Sequence, residues 1–139
     1  MKGKVLVVDD DKAMCELIDT TLTLKGYSTT WCQSANEANE LLHDNEFDVV
    51  LTDVRMPGTT GLQLCQQISS TRPDIPVIVM TAFGTLDTAV ATIRSGAYDF
   101  LTKPVELELL TLTIARAVER RQLKRQIHLL EQQAKTENH

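Results

Sequence analysis

Five short apolar runs alternate with five stretches of helical periodicity along this chain. The runs predict strands at residues 4–8, 27–32, 47–52, 75–80 and 98–101. After each run, apolar residues recur at helical spacing, and the last such stretch extends from about 105 to at least 133. This alternation is typical of a parallel sheet with helices on both faces. We therefore expect an α/β fold: a doubly wound, five-stranded parallel sheet in the order 2-1-3-4-5 (flavodoxin-like), with an extended C-terminal helix.

Composition indicates an acidic globular protein. The chain has 139 residues and a formal net charge of −5, which argues against nucleic-acid binding. Residues 1–103 hold 8 Lys/Arg and 14 Asp/Glu, whereas residues 104–139 hold 6 and 5. The three cysteines lack metal-binding spacing, no signal peptide is recognisable, and no apolar stretch approaches the roughly 20 residues that span a bilayer. We expect a cytoplasmic protein that binds neither nucleic acid nor membrane through these residues.

Acidic residues follow two of the predicted strands. Asp53 ends the third strand, and Asp9 and Asp10 end the first. In the expected order these strands are neighbours at the switch point, where such sheets bind ligands. Carboxylates this close repel one another, and a hard cation such as Mg²⁺, which also binds phosphate oxygens, relieves the repulsion. The alternative is that the acids only cap the following helix or turn, which is what we expect of Asp11.

The fourth and fifth strands end in further polar groups. Thr81 offers a hydroxyl that can bond a phosphoryl oxygen. Lys103 offers an ammonium on a long stem, and Pro104 after it favours a sharp turn, with a cis peptide bond as one form. Alone, such residues are usually only solvated. Together with the acids, they would surround one point.

These residues occur in segments that resemble the receiver domain of two-component response regulators. The matching segments are 7–10 (VVDD), 51–58 (LTDVRMPG) with Gly61, 79–82 (VMTA) and 96–104 (GAYDFLTKP). Their order, spacing and context match over roughly residues 3–120. The resemblance implies a phospho-acceptor domain that receives its phosphoryl group from a sensor histidine kinase. Such a domain catalyses its own phosphorylation and dephosphorylation without being an enzyme in the usual sense.

The resemblance also implies a metal and acceptor site. Asp53 would be the phospho-acceptor. Asp10 and Asp53 would ligate Mg²⁺ together with the main-chain carbonyl of Arg55, and Asp9 would assist, often through water.

Five positions take switch, phosphate-binding or lifetime-tuning roles from the same resemblance. Thr81 would be the switch hydroxyl and Lys103 the phosphate-binding cation. Phe100 falls on the aromatic switch position, where many family members have tyrosine, so packing would replace the hydroxyl's hydrogen bond. Arg55 and Phe83 would tune the lifetime of the acyl phosphate.

The last helix extends beyond what a receiver needs. Leu107, Leu110, Ile114 and Ala117 or Val118 are expected to pack on the sheet, after which residues 119–122 (ERRQ) interrupt the apolar stripe. The stripe resumes at Leu123, Ile127, Leu130 and Ala134, spaced four, three and four as in a coiled coil. Either a solvated helix end or a coiled-coil linker fits. We predict a receiver over 1–120 and a helical linker over 121–139.

The linker and the GAYDFLTKP segment are similar to nitrogen-regulator-type activators. In these, the receiver joins an ATPase that acts on sigma-54 RNA polymerase and a DNA-binding domain. The resemblance implies a transcriptional output and a homodimer, formed through the helix four–strand five–helix five face or through the C-terminal helix. No P-loop occurs in these residues, which excludes ATPase activity for them.

Two alternatives remain at this point. The first is a stand-alone receiver that acts by protein docking or phosphorelay. The second is a Mg²⁺-dependent phosphatase with Asp53 as its nucleophile. Such phosphatases usually carry a second acid just beyond the nucleophile, where this chain has Arg55.

Overall fold

A single parallel sheet organises the computed structural model, which describes residues 1–82 and 84–137. Its strand order is 2-1-3-4-5, which confirms the predicted topology. The strands are β1 (Lys4–Val8), β2 (Ser28–Cys32), β3 (Val49–Asp53), β4 (Val77–Thr81) and β5 (Asp99–Thr102). Every residue of β3 and β4 is buried, as expected for central parallel strands covered on both faces.

Helices follow all five strands. They are α1 (Lys12–Leu24), α2 (Ala35–Asp44), α3 (Gly61–Thr71), α4 (Leu86–Arg94) and α5 (Leu107–Glu137). Asp11 accepts hydrogen bonds from the backbone N–H groups of Ala13 and Met14, which confirms its expected capping role at α1. Thr60 and Gln63 form a reciprocal capping box at α3. These caps fix where α1 begins after β1 and where α3 begins after the loop 54–60.

The two faces of the sheet have separate apolar cores. Alternate β1 residues point to opposite faces: Val5 and Val7 to one, Leu6 and Val8 to the other. Side chains from α1 and α5 cover the first face, and side chains from α2 and α3 cover the second. The carboxyl ends of the strands are left uncovered between these layers, which is where the polar strand ends lie.

Two helices present apolar side chains to solvent. In α1, Leu17 is 48% exposed, and the buried residues are Cys15, Ile18 and Leu22. In α4, the apolar residues Leu86, Val90 and Ile93 are all exposed, and the buried residue is Thr92. Thr92 is tolerated inside because its hydroxyl donates to the Thr88 carbonyl at 2.8 Å. The apolar stripe of α4 therefore faces outward.

The long helix α5 is partly as expected. Leu110, Ile114, Ala117 and Val118 are buried against the sheet, as predicted. Residues 119–122 were expected to interrupt the apolar stripe, yet Arg121 among them is only 2% exposed. Residues 122–136 are all exposed. Within residues 1–82 and 84–137, no helix combines the length and hydrophobicity that crossing a membrane requires.

Candidate functional site

Three carboxylates converge at the carboxyl ends of β1 and β3. Val8 of β1 pairs with Thr52 of β3, so the residues after them, Asp9 and Asp53, lie side by side. One oxygen from each of Asp9, Asp10 and Asp53 lies within 4.8 Å of the others. Asp9 is fully buried and Asp53 nearly so, whereas Asp10 is exposed. The predicted acidic cluster is therefore present, with one open side.

Lys103 closes the buried side of this cluster. Its Nζ lies 3.2 Å from Asp9 Oδ2 and 3.2 Å from Asp53 Oδ1. Its backbone N–H donates to the Thr81 carbonyl at 2.7 Å, which ties the loop after β5 to the end of β4. The Lys103–Pro104 peptide bond is cis, which is one of the two forms that the sequence left open. Two of the three acids thus share one ammonium, and the cluster keeps an excess of negative charge.

Burial and neighbouring charges both shift the pKa values of the site. Burial raises the pKa of Asp9, against the backbone N–H of Asp11 and the ammonium of Lys103. Burial also raises the pKa of Asp53, and the Asp9 charge raises it further. Burial alone would lower the pKa of Lys103, but the two carboxylates outweigh it and hold that pKa above its ordinary value. The ammonium stays charged, and the acids gain from an added cation.

Thr81 and Arg55 share a cavity with the acceptor. This cavity has a volume of about 390 Å³, and its lining includes Asp53, Arg55, Thr81 and Lys103. Thr81, the last residue of β4, is 2% exposed, whereas the Arg55 side chain is exposed. The fold therefore brings the predicted acceptor, hydroxyl and cation to one open cavity large enough for a phosphoryl group.

The aromatic switch position lies on β5 and packs against the sheet. Phe100 lies on β5, three residues before Lys103, and is partly buried against the core on the α2–α3 face of the sheet. Its backbone N–H donates to Asp99 Oδ1 at 2.8 Å. Phe83, the second expected lifetime-tuning residue, lies outside the described residues.

Gly61 is a site residue whose part sequence reasoning missed. In the sequence it stands only as one member of a matching segment. A Cβ at this position would overlap the backbone carbonyl of Asp53. The Gly61 N–H donates to the Val54 carbonyl at 2.9 Å, so α3 begins directly against the end of β3. The available signal was a glycine at the first position of a helix, where helix-forming residues are usual.

The chain matches a known protein family over most of its length. The family model described as "Response regulator receiver domain" matches residues 5–115, which is most of the chain and includes every acid of the site. The chain belongs to the response regulator receiver family. The resemblance on which the expected site was based is thereby confirmed at the level of the family.

Relatives of this receiver include full-length regulators. Response regulator protein PilR of Pseudomonas aeruginosa is 43% identical over 117 residues, covering 84% of this chain and 26% of PilR. The DNA-binding transcriptional regulator NtrC of Klebsiella pneumoniae is 38% identical over 125 residues, covering 90% of this chain and 27% of NtrC. The chain therefore spans about a quarter of the length of these relatives.

Solved receivers have the same architecture. The beryllofluoride-activated NtrC4 receiver domain dimer matches with a TM-score of 0.81 and 38% identity, covering 87% of this chain and 99% of that one. NtrX from Brucella abortus, solved with ATP, matches with a TM-score of 0.86 and 34% identity, covering 94% of this chain and 30% of that one. The similarity to NtrC-type regulators expected from the sequence is confirmed.

Proposed function

We propose that this receiver takes a phosphoryl group from a sensor histidine kinase onto Asp53 and passes the resulting change to a transcriptional output. The observation that carries the proposal is the Lys103 ammonium, placed 3.2 Å from Asp53 at the edge of a three-carboxylate cluster. A buried carboxylate next to a fixed cation and an open cavity is suited to attack a phosphorus atom. The exposed Arg55 in place of a second acid disfavours the phosphatase alternative.

The donor set fits Mg²⁺. Carboxylate oxygens are the ligands that this hard cation prefers, and it usually keeps several waters. Asp10 and Asp53 would hold it with the main-chain carbonyl of Arg55, and Asp9 would assist through water. When bound, Mg²⁺ supplies positive charge that neutralises the acids and the transferring phosphoryl group. The exposure of Asp10 leaves room for its waters.

The protein's own groups perform the transfer. A carboxylate oxygen of Asp53 attacks the phosphorus in line, and the bond from phosphorus to the kinase histidine breaks as the new bond forms. Lys103 neutralises charge that develops on the phosphoryl oxygens and needs no reorganisation, because Asp9 already holds it in place. Water later hydrolyses the acyl phosphate. Arg55 at the cavity and Phe83 would set how easily that water approaches.

Phosphorylation would then shift a conformational equilibrium. The new group adds a charge of about −1.5 to −2 and three acceptor oxygens. The Thr81 hydroxyl, in the same cavity, would move toward these oxygens, and Phe100 would turn inward into the space that opens. The surface of α4, β5 and α5 would change with them, as the population of the active state rises.

A homodimer is the expected consequence of this shift. The outward stripe of α4, with Leu86 78% and Ile93 67% exposed, supports a contact through the α4–β5–α5 face. The exposed residues Leu123, Ile127 and Leu130 on α5 support a contact through the C-terminal helix. The solved NtrC4 receiver is described as a dimer in its activated form, which agrees with either surface.

A stand-alone receiver is the second candidate, and the C-terminal helix discriminates between the two. Removal of residues 122–139 should weaken dimerisation if the helix is a linker to an output domain, and should leave it unchanged otherwise. The cut is placed after Arg121 because this residue is buried in the receiver. Sedimentation velocity on the phosphorylated protein would measure the difference.

Labelling with a small phosphodonor tests the proposed function. The protein is incubated with Mg²⁺ and acetyl phosphate, and its intact mass is measured with time. We expect one added phosphoryl group, absent from Asp53→Asn and absent when EDTA replaces Mg²⁺. Sustained turnover of a generic phosphate ester, without labelling, would instead support the phosphatase.

A further inference from the structure

A buried arginine lies at the edge of the sheet opposite to Asp53. Arg121 of α5 is 2% exposed. Its Nη1 donates to Asp48 Oδ1 at 2.8 Å, and its Nη2 donates to Glu46 Oε2 at 2.9 Å and to Asp74 Oδ2 at 3.1 Å. A guanidinium with three carboxylate partners is held in position far more firmly than an ordinary surface cation.

The three acids lie in the loops that precede β3 and β4. Asp48 directly precedes β3 and also accepts the backbone N–H of Lys4, at 2.8 Å, where β1 begins. Glu46 lies in the same loop, and Asp74 lies in the loop before β4. Arg72 donates to both Glu46 and Asp74. We call these five residues, Arg121, Arg72, Glu46, Asp48 and Asp74, the Arg121 cluster.

The cluster lies where α5 leaves the receiver. Val118 is the last buried apolar residue of the helix, Arg121 follows one turn later, and residues 122–136 are all exposed. A helix of about that length is only marginally stable in water by itself. The first turns of this exposed segment therefore depend for their stability on the part of α5 that packs on the sheet.

We propose that Arg121 is the positioning residue that fixes how the C-terminal extension leaves the receiver. The C-terminal extension is the exposed part of α5 from Gln122 onward. The cluster makes α5 one helix from Leu107 through the first turns of the extension. It also ties that helix to the starts of β3 and β4, whose other ends are Asp53 and Thr81. The extension is thus aligned with the two strands that carry the functional site. This inference does not depend on phosphorylation.

Hydrogen exchange of the full chain tests the inference. Amides of residues 119–126 are compared with those of β3 and β4 by mass spectrometry, in the unphosphorylated protein. We expect Arg121→Met to exchange at least tenfold faster over 119–126, because the first turns of the extension then open independently. The control is Arg125→Met, which removes an exposed cation one turn later on the same helix and should change this exchange by less than twofold.

Two further variants keep the test decisive if Arg121→Met loosens the whole domain. Arg121→Lys retains the charge but cannot bridge three acids, and the double variant Glu46→Gln/Asp74→Asn removes both partners of Nη2. Each should speed exchange over 119–126 about threefold or more while leaving β3 and β4 unchanged. The inference is overturned if Arg121→Met stays within twofold of the natural protein, or if every variant speeds the strands as much as the helix.

Discussion

Replacement of Asp53 by asparagine should stabilise the metal-free protein, although it destroys the proposed acceptor. The natural site holds three carboxylates with oxygens within 4.8 Å of one another and one ammonium. Two of those acids are buried, so their charges are poorly screened by water. Asparagine keeps the shape of the side chain and removes one of these charges.

The magnitude follows from the distances. At an effective dielectric constant of about 20, two like charges 4.8 Å apart repel by about 3.5 kcal/mol. Asp53 therefore feels about 7 kcal/mol of repulsion from Asp9 and Asp10 together, against about 5 kcal/mol of attraction to Lys103 at 3.2 Å. Screening reduces the share of exposed Asp10, whereas burial adds the cost of keeping the Asp53 carboxylate ionised away from water, and together we expect a net gain of about 1–2 kcal/mol for Asp53→Asn.

The stability gained by Asp53→Asn should depend on pH and on Mg²⁺. Burial, and then the charge of Asp9, raise the pKa of Asp53 in the folded protein. The folded state therefore binds more protons than the unfolded state between the ordinary aspartate pKa and the raised value, and stability falls as pH rises through that interval. The advantage of Asp53→Asn should be absent at a pH below the ordinary value and complete above the raised one. Mg²⁺ at about 100 times its Kd should add about 2.7 kcal/mol to the natural protein and less to the variant.

Urea unfolding with EDTA and with Mg²⁺, at several pH values, measures these effects. Glu40→Gln is the control, since it removes an exposed carboxylate in α2 and should change stability by less than about 0.5 kcal/mol. The electrostatic reasoning fails if Asp53→Asn is less stable than the natural protein in EDTA at neutral pH. It also fails if Mg²⁺ stabilises both proteins equally.

Three other substitutions test separate parts of the account. Gly61→Ala forces a methyl group against the Asp53 carbonyl; it should cost about 1–3 kcal/mol in urea unfolding, and an unchanged midpoint would contradict the close approach. Ile114 of α5 lies in the core, so Ile114→Ala should lower the free energy of unfolding by about 2–5 kcal/mol. Its control, Ile127→Ala, changes an exposed residue of the same helix and should lower it by less than about 0.5 kcal/mol. Lys103→Met should slow labelling by acetyl phosphate about 10²-fold or more, and a loss under threefold would exclude Lys103 from the transfer.

Most of the fold could be predicted because central parallel strands need continuous apolar runs. The runs that became β3 and β4 are buried throughout, and their alternation with helices leaves few topologies. The acidic site followed from the same logic, since adjacent parallel strands bring their last residues together. Asp9 and Asp53 are 44 positions apart in the chain but side by side in the sheet.

Helix orientation could not be predicted as well. Leu86, Val90 and Ile93 recur at helical spacing, but all three are exposed and the buried residue of α4 is Thr92. Hydrophobic periodicity marks a face without telling whether the protein or a partner covers it. Arg121 shows the converse: a charged residue within a polar segment usually lies in solvent, and its partner Asp48 is 73 positions away.

The burial of Arg121 bears on where the receiver ends and the linker begins. We predicted a receiver over 1–120 and a linker over 121–139, and that division stays a prediction. Arg121 is the last buried residue of α5 within residues 107–136, one residue beyond the expected boundary. Truncations intended to remove only the extension should therefore begin at Gln122.

The central claim is that Asp53 itself carries the phosphoryl group. Borohydride reduction of the protein labelled with acetyl phosphate converts an acyl-phosphorylated aspartate to homoserine, which peptide mass spectrometry can locate. We expect the converted residue at position 53 and at no other aspartate, including Asp9 and Asp10 beside it. Conversion at Asp9 or Asp10, or labelled protein in which Asp53 is unchanged, would contradict the account.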